Sequence, residues 1–159
     1  MGDILCDHER KEPCVPLHAV AHACDSARLF MDINDSWGAI LKIISFWQAN
    51  PQFAELRNTL LHGERYYNDP DQLMIGNPGL SVSEAQAQMG MWALWSAPMI
   101  MSTELRNGSI APEMKAILLN EGALAIVDDP LGRQATECVH AGCKHGGVLY
   151  GYVLVFTLP

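Results

Sequence analysis

The stretch DQLMIGNPGLSVSEAQAQMGMWALWSAPMIMS, residues 71–102, carries the strongest folding signal in the chain. Residues 73–75 are a short apolar run between turn-forming residues, which is typical of a buried strand. Ser81 and Glu84 have the spacing of a capping box, so a helix is predicted to begin there. Residues 98–102, which open with a proline, predict a second buried strand. The stretch therefore indicates a strand, a helix and a strand in succession.

The same alternation continues on both sides of this stretch. Upstream, Asn34 or Asp35 can cap a helix whose apolar residues recur at three- and four-residue spacing until Asn50-Pro51. Downstream, a helix is predicted over 112–119, and the apolar run 123–127 is predicted as a third strand. Strands that alternate with helices predict α/β units with a parallel sheet, arranged as an incomplete barrel or a small layered sheet. A closed eightfold barrel is excluded because it needs about 250 residues.

Length and charge limit the class of protein. The 159 residues carry a formal net charge of −8, from 18 acidic and 10 basic residues, without a Lys/Arg cluster that could neutralise a run of phosphates. Nucleic acid is therefore not an expected partner. The most apolar segment, residues 148–159, is shorter than the roughly 20 residues of a membrane-spanning helix, so no membrane span is expected. Residues 1–14 lack the apolar stretch of a secretory peptide, so no signal peptide is expected.

Polar side chains collect near the ends of the predicted strands. Asp32 and Asp35 precede the first helix, and Asn68, Asp69 and Asp71 precede the strand predicted at 73–75. Because ligands of parallel α/β folds bind at the carboxyl ends of strands, these residues are candidates for proton transfer or cation binding. The alternative is structural, since Asp and Asn at such positions also cap helices and build turns.

Four ordered blocks of the sequence resemble one known family. Residues 24–37, CDSARLFMDINDSW, are similar to a family segment that reads Cys, three residues, Arg, three residues, Asp-Ile-x-Asp-Ser-Trp. Residues 67–81, YNDPDQLMIGNPGLS, are similar to Trp-Asn-Asp-Pro-Asp-Met-Leu-x-Ile-Gly-Asn-x-Gly-Leu-Ser. Residues 97–106 and 129–132 resemble two further blocks. The family is glycoside hydrolase family 27, the α-galactosidases and α-N-acetylgalactosaminidases, and the resemblance covers roughly residues 14–133.

The resemblance implies a fold and a cellular setting. The expected fold is α/β: a partial (β/α)8 TIM barrel of roughly the last three β/α units, at residues 1–133. Residues 134–159 are then a short divergent C-terminal tail without a complete β-sandwich domain. The resemblance also implies a homodimer that is lysosomal or secreted, and neither a metal nor an organic cofactor.

Three site residues follow from matching positions. Asp32 falls on the family's general acid/base, and Arg28 falls on the arginine that grips the substituent at the 2-position of the sugar. Leu17 falls on a substrate-binding position, where a bulky side chain favours galactose over N-acetylgalactosamine. Retaining glycosidases need two carboxyl groups about 5–5.5 Å apart, one to attack the anomeric carbon and one to protonate the leaving oxygen. The alternative for Asp32 is a purely structural role.

The implied function is removal of terminal α-galactosyl groups from glycolipids, glycoproteins or oligosaccharides by a retaining α-galactosidase. The chain lacks the Lys-x-Asp-Gly-Cys motif that holds the family's nucleophile, and Asp3 is a poor substitute because no Lys lies two positions before it. The chain alone is therefore expected to be inactive. The alternatives are an α-N-acetylgalactosaminidase, or a non-catalytic truncated product that binds sugar or a partner protein.

The five cysteines are an odd number, so at least one is free, bound to a metal or paired with another chain. The resemblance implies a Cys14–Cys24 disulfide, although the loop between these residues is shorter than in the family. Residues 138–145 hold two cysteines and two histidines that would suit zinc, but structural zinc sites usually have two separated pairs. A divergent tail is the favoured interpretation of this segment, and no metal is expected.

Overall fold

The computed structural model describes residues 4–5, 15–16, 19–20, 23–50, 66–129, 134–135, 144–145 and 148–149. The helices are α1 Trp37–Ala49, α2 Val82–Leu94, α3 Pro112–Leu118 and α4 Glu121–Val127, with a 3-10 turn at Arg106–Gly108. The strands are β1 Ile4–Leu5, β2 Val15–Pro16, β3 Ser26–Arg28, β4 Tyr67–Asp69, β5 Lys144–His145 and β6 Val148–Leu149. Within these ranges, no helix is long and apolar enough to cross a bilayer.

Strands β3 and β4 form a parallel pair, with α1 in the connection between them. Ala27 lies opposite Asn68, and the pairing continues past both strand ends through backbone hydrogen bonds. The Tyr67 N–H donates to the Asp25 carbonyl at 2.8 Å, and the Leu29 N–H donates to the Asp69 carbonyl at 3.2 Å. Parallel strands need a long crossover, and a helix is the usual one. The predicted parallel α/β character is confirmed by this pair, although β3 and β4 are not among the strands predicted from the sequence.

The strand pairs β1–β2 and β5–β6 are both antiparallel.

A second parallel link follows, with α2 as its crossover helix. Leu73 and Met101 form a parallel bridge in which the Leu73 N–H donates to the Ile100 carbonyl at 2.7 Å. The Ser102 N–H donates back to the Leu73 carbonyl at 3.2 Å. The strands predicted at 73–75 and 98–102 are therefore reduced to a single bridge.

A buried glutamine satisfies the backbone on the opposite side of this short segment, facing away from residues 100–102. Gln88 of α2 is fully buried, and its amide oxygen accepts from the Met74 N–H at 2.9 Å. Its amide nitrogen donates to the Gln72 carbonyl at 3.2 Å. The backbone groups on either side of Leu73 thus bond to a helix side chain instead of a neighbouring strand. Buried backbone groups need such partners, and a side chain meets the need as well as a strand does.

Three sequence predictions about the elements are corrected by the structure. The run at 123–127 is part of α4 and not a strand, because the Asn120 side chain accepts from the Ala123 N–H at 2.9 Å and caps a new helix. Asn68 and Asp69 lie within β4 and not beyond a strand. The residue that caps α1 is Ser36, whose hydroxyl oxygen accepts from the Ala39 N–H at 3.3 Å.

The capping box at the start of α2 is confirmed. The Ser81 hydroxyl oxygen accepts from the Glu84 N–H at 3.4 Å, and the Glu84 carboxylate accepts from the Ser81 N–H at 2.7 Å. These two bonds satisfy donors that the first turn of a helix leaves unpaired. They fix where α2 begins, and α2 in turn packs against α1, α3 and α4.

The core is centred on three buried tryptophans that join α1 to α2. Trp47 of α1 stacks on Trp95 with ring centroids 5.1 Å apart, and Trp92 of α2 lies 5.4 Å from Trp95. Aromatic pairs contribute about 0.5–1.5 kcal/mol beyond their buried area. Buried aliphatic side chains from both parallel links complete the core: Leu29, Ile40, Ile43, Leu73, Ile75 and Leu80.

The turn before α2 is held against the turn before α1 by a close backbone approach. The Gly79 N–H donates to a carboxylate oxygen of Asp35 at 2.8 Å. A Cβ atom added at Gly79 would lie 2.0 Å from the Asp35 carbonyl oxygen, so the backbone would have to move. Glycine is required at this position because only a hydrogen fits between the two turns.

Substitution Gly79→Ala is expected to lower the free energy of unfolding by about 1–3 kcal/mol, the usual range for an overpacked site. Gly90→Ala is the matched control, because a Cβ at Gly90 has no neighbour within 4 Å. Gly90 lies inside α2, so the control should gain roughly 0.5–1 kcal/mol from lower backbone entropy. Urea unfolding of the full chain measures both. Equal stability of the two variants would contradict the close approach.

Candidate functional site

The guanidinium of Arg28 bridges two carboxylates at the carboxyl end of β3. Its Nη1 donates to Asp71 Oδ2 at 3.1 Å, and its Nη2 donates to Asp32 Oδ1. Asp32 follows four residues after Arg28, on the loop that leads to α1, whereas Asp71 comes from the loop that follows β4. The parallel pairing of β3 and β4 brings these two loops to the same edge. The cluster is therefore made by tertiary structure from two separate segments.

The two carboxylates differ in their exposure to solvent. The side chain of Asp71 is 11% exposed, and that of Asp32 is 66% exposed. The Arg28 side chain is 43% exposed, an intermediate value. A solvent-exposed ion pair contributes only about 0–1 kcal/mol, because water and salt screen it. The partly buried Arg28–Asp71 contact is screened less, so it holds the guanidinium more firmly than the exposed one.

Asp71 is held by the backbone around it. Its Oδ2 also accepts from the Ile33 N–H at 3.0 Å, and its Oδ1 accepts from the Gln72 N–H at 2.9 Å. Its carbonyl oxygen accepts from the Trp92 indole N–H at 2.8 Å. Its backbone has φ of 78°, in the left-handed region, where Asp and Asn are the common non-glycine residues. The side chain and the backbone of Asp71 are thus both fixed.

Asp69 lies at the end of β4, next to this cluster. Its carboxylate accepts from the Asp71 N–H at 2.8 Å. Burial raises the pKa of Asp69 above its usual value of 3.8, and the neighbouring Asp71 carboxylate raises the pKa further. The hydrogen bond from the Asp71 N–H and the positive charge of Arg28 act in the opposite direction. The net effect is a carboxyl group that holds its proton to a higher pH than an exposed aspartate does.

Asn68 connects the site to the C-terminal part of the chain. It is almost fully buried in β4, and its side-chain amide donates to Gln134 at 3.1 Å. The next residue, Ala135, donates its N–H to the Leu94 carbonyl at the end of α2 at 2.8 Å. Residues 134–135 are therefore packed against β4 and α2. Sequence reasoning missed this contact, because no pattern near Gln134 pairs it with a residue so distant in the sequence.

Of the sequence-predicted site residues, the structure brings Arg28 and Asp32 into contact and adds Asp71 as a second partner of Arg28. Asp35 has a structural role, since it accepts from Gly79 on the next turn. Leu17 and Asp3 lie outside the described residues. The cysteine and histidine cluster at 138–145 also lies outside them, apart from the backbone of β5. Among the described residues, no group of three or more His, Cys, Asp or Glu is placed to hold a metal ion.

Cys24 has a free, exposed thiol in the structure. The disulfide with Cys14 that the family resemblance implies is therefore not formed there, and Cys14 itself lies outside the described residues. The nearby Tyr66 is buried, and burial together with the Cys24 thiol raises the pKa of Tyr66 to about 12. The Tyr66 hydroxyl therefore stays protonated at neutral pH.

The cluster has two chemical capacities. Asp32 is open to solvent, so its carboxyl group can give a proton to a bound ligand or take one from it. The half-exposed guanidinium of Arg28 can donate hydrogen bonds to the hydroxyl oxygens of a ligand. A proton-transfer group beside a fixed donor, at the carboxyl end of parallel strands, is the arrangement expected of an α/β active site.

Comparison with known proteins decides the family. A family model described as alpha galactosidase A matches residues 6–129, which is well over half of the chain. The chain belongs to the α-galactosidase A family. The curated relatives of this family member include alpha-galactosidase A of Homo sapiens, which is 41% identical over 114 residues, covering 72% of the chain and 25% of the relative. Alpha-N-acetylgalactosaminidase of Gallus gallus is 36% identical over 130 residues, covering 82% of the chain and 31% of the relative.

Solved structures of related proteins agree with this assignment. A putative alpha-galactosidase from Bacteroides fragilis NCTC 9343 superimposes with a TM-score of 0.61 at 25% identity, over 74% of this chain and 26% of that structure. A second putative alpha-galactosidase from the same organism gives a TM-score of 0.59. This α-galactosidase family member thus spans between a quarter and a third of the length of the two curated relatives and the first solved structure named here.

Substitution Asp69→Asn is expected to raise the free energy of unfolding of this family member at neutral pH. The folded state raises the pKa of Asp69, so its stabilising contribution is full below the unfolded pKa of 3.8 and is lost as pH rises through the higher folded pKa. Asparagine removes the charge and keeps an oxygen that can accept from the Asp71 N–H.

Urea unfolding of wild type and Asp69→Asn from about pH 3 to pH 8 measures this effect. The stability gain should be present at the upper end of the range and should shrink toward zero at the lower end, where the wild-type carboxyl is protonated in both states. A gain of equal size at every pH, or a loss at neutral pH, would contradict the raised pKa.

Proposed function

We propose that this chain supplies the acid/base part of a retaining α-galactosidase active site. The observation that carries the proposal is the Arg28–Asp32 contact at the carboxyl end of a parallel strand pair, in a member of the α-galactosidase A family. Asp32 is the catalytic acid/base, and Arg28 binds the substituent at the 2-position of the sugar. The substrate class is a terminal α-galactosyl group on a glycolipid, glycoprotein or oligosaccharide.

The proposed fold is the later part of a (β/α)8 barrel, with residues 1–133 as roughly its last three β/α units and 134–159 as a divergent tail. Two consecutive parallel links, each with a helix between its strands, support this proposal. The similarity to two α-galactosidase structures supports it as well. In such a barrel the carboxyl ends of the strands face the active site, which is where Arg28 and Asp32 would meet a sugar.

In the proposed reaction, Asp32 acts twice. A second carboxylate attacks the anomeric carbon, and the bond from this carbon to the leaving oxygen breaks as Asp32 transfers its proton to that oxygen. Asp32, now a carboxylate, then takes a proton from water as the water oxygen attacks the anomeric carbon and releases the second carboxylate. The exposure of Asp32 supports this role, because both the leaving group and the water must reach it.

The nucleophile is proposed to lie outside these 159 residues. The Lys-x-Asp-Gly-Cys motif does not occur in the sequence, and the chain spans 25% of human alpha-galactosidase A. Two groups that act as a unit lose nearly all of the chemical rate when one is removed. We therefore expect the chain alone to be inactive toward α-galactosides.

Galactose is the proposed sugar, because Leu17 matches the bulky residue that excludes an N-acetyl group. An α-N-acetylgalactosaminidase is the second candidate, since relatives of that name are 36–39% identical to the chain. A homodimer in the lysosome or outside the cell, without a cofactor, completes the proposal by resemblance to the family.

Chemical rescue with azide tests the acid role in the chain as it exists. Azide can take the place of the missing carboxylate: its nitrogen bonds to the anomeric carbon while the phenol oxygen leaves with the Asp32 proton. With phenyl α-galactoside and azide, the wild-type chain should release phenol about 100-fold faster than Asp32→Asn, the lower range for general acid catalysis. The sugar product is the azide of inverted configuration.

Two controls make this result specific. Without azide, wild type and Asp32→Asn should release phenol at the same background rate. With azide and 2,4-dinitrophenyl α-galactoside, the two should differ little, since this leaving group departs without a proton. Equal phenol release by both proteins in azide would overturn the acid role of Asp32. An Asp32-dependent rate without azide would instead show that the chain contains its own nucleophile.

A further inference from the structure

The buried carboxylate of Asp71 contacts Arg28 and the backbone directly after Asp32. Asp71 Oδ2 accepts from Arg28 Nη1 at 3.1 Å, and the same oxygen accepts from the Ile33 N–H at 3.0 Å. Ile33 directly follows Asp32 in the sequence. One oxygen atom therefore restrains the side chain that pairs with Asp32 and the peptide that carries Asp32.

From this geometry we propose that Asp71 is a positioning residue for the acid/base Asp32. It sets the orientation of the Arg28 guanidinium and the path of the backbone at Ile33, and the two together fix where the Asp32 carboxyl group lies. The acid function of Asp32 rests on the proposed function, whereas the restraint itself is a property of the folded chain.

The direction of control follows from exposure. Asp32 is 66% exposed and sits on a loop, so it cannot by itself hold a long arginine side chain in one orientation. Asp71 is 11% exposed, and hydrogen bonds to charged groups are stronger where water is excluded. Asp71 is thus the fixed member of the three. It orients Arg28, and the position of the Asp32 carboxyl group depends on both.

The structure around Asp71 is suited to this role. Its second oxygen is occupied by the Gln72 N–H, so the carboxylate cannot rotate without breaking a bond. Its carbonyl is held by the indole of Trp92, which belongs to the buried tryptophan cluster of α2. The orientation of Asp32 is therefore connected through Asp71 to the core of the protein.

Matched Asp→Asn substitutions at the two partners of Arg28 test the proposal. In Asp71→Asn, one accepting oxygen becomes an NH2 group and the negative charge is lost. Hydrogen exchange at the Ile33 N–H should become about tenfold faster or more, as expected for loss of a charge-assisted bond. The 15N-detected guanidinium signals of Arg28 should collapse to those of a freely rotating side chain. In Asp32→Asn, both signals should stay as in wild type.

Other outcomes decide the question as clearly. If Asp71→Asn leaves the Ile33 N–H protected and Arg28 restrained, Asp71 does not position them. If Asp32→Asn frees the guanidinium, then Asp32 holds Arg28, and the proposed direction is wrong. Asp32 is exposed, so Asp32→Asn should fold. It therefore tests which carboxylate holds Arg28 even if Asp71→Asn fails to fold. Glu104→Gln, which removes the charge from the exposed Glu104–Arg106 pair, is the control that should change neither signal.

The azide assay adds a functional readout. At saturating substrate, where weaker sugar binding by a freed Arg28 no longer limits the rate, Asp71→Asn should lose at least tenfold in phenol release from phenyl α-galactoside and change little with the dinitrophenyl substrate. A variant that is merely less folded would lose both rates equally, and that result would overturn the positioning role. Absence of azide-dependent release in the wild type would reject the proposed function, while the hydrogen exchange and guanidinium signals would still decide the role of Asp71.

Discussion

The loop that follows β4 holds three separate segments together, because the carboxylate and the carbonyl of Asp71 both accept hydrogen bonds from them. The carboxylate accepts from Arg28 at the end of β3 and from the Ile33 N–H on the way to α1. The carbonyl accepts from Trp92 in the last turn of α2. A partly buried carboxylate without such donors would be strongly unfavourable, so the loops and the helix must meet at this point. The left-handed backbone at Asp71 allows both groups to reach their partners.

Helix α2 has a second structural role besides packing. Its side chains Gln88 and Trp92 bond to the backbone at residues 71–74, on the strand side of the structure. The Gln88 bonds satisfy backbone groups on the side of this segment that faces away from Met101, with which Leu73 forms a single bridge. The helix is therefore joined to the strand layer by polar contacts as well as by the tryptophan cluster, which restricts its position more than apolar packing alone would.

The helices were predictable because their signals are local. A capping box at Ser81, the three- and four-residue apolar spacing of α1, and Pro112 at the start of α3 each involve residues within a few positions of one another. The strand prediction at 123–127 is wrong because it also relies on a local signal. An apolar run without periodicity fits a strand or a helix equally well, and the Asn120 cap three residues before it decided for the helix. The polar pattern predicts Asn68 and Asp69 outside a strand, because polar residues resemble loop residues, yet both lie in β4 and pair with β3, and Asn68 also bonds to Gln134.

The sequence by itself determined the family, helices α1 to α3, the parallel α/β character and the residue types for which proton transfer and sugar binding are proposed. These depend on short-range patterns and on ordered motifs, which can be read along the chain. Tertiary structure alone decided that Asp71 is shared between Arg28 and Ile33, that Asp69 has a raised pKa, and that Gln134 reaches Asn68. The physical reason is that hydrogen bonding and desolvation depend on distance in space, and these partners are separated by up to 66 positions in the sequence.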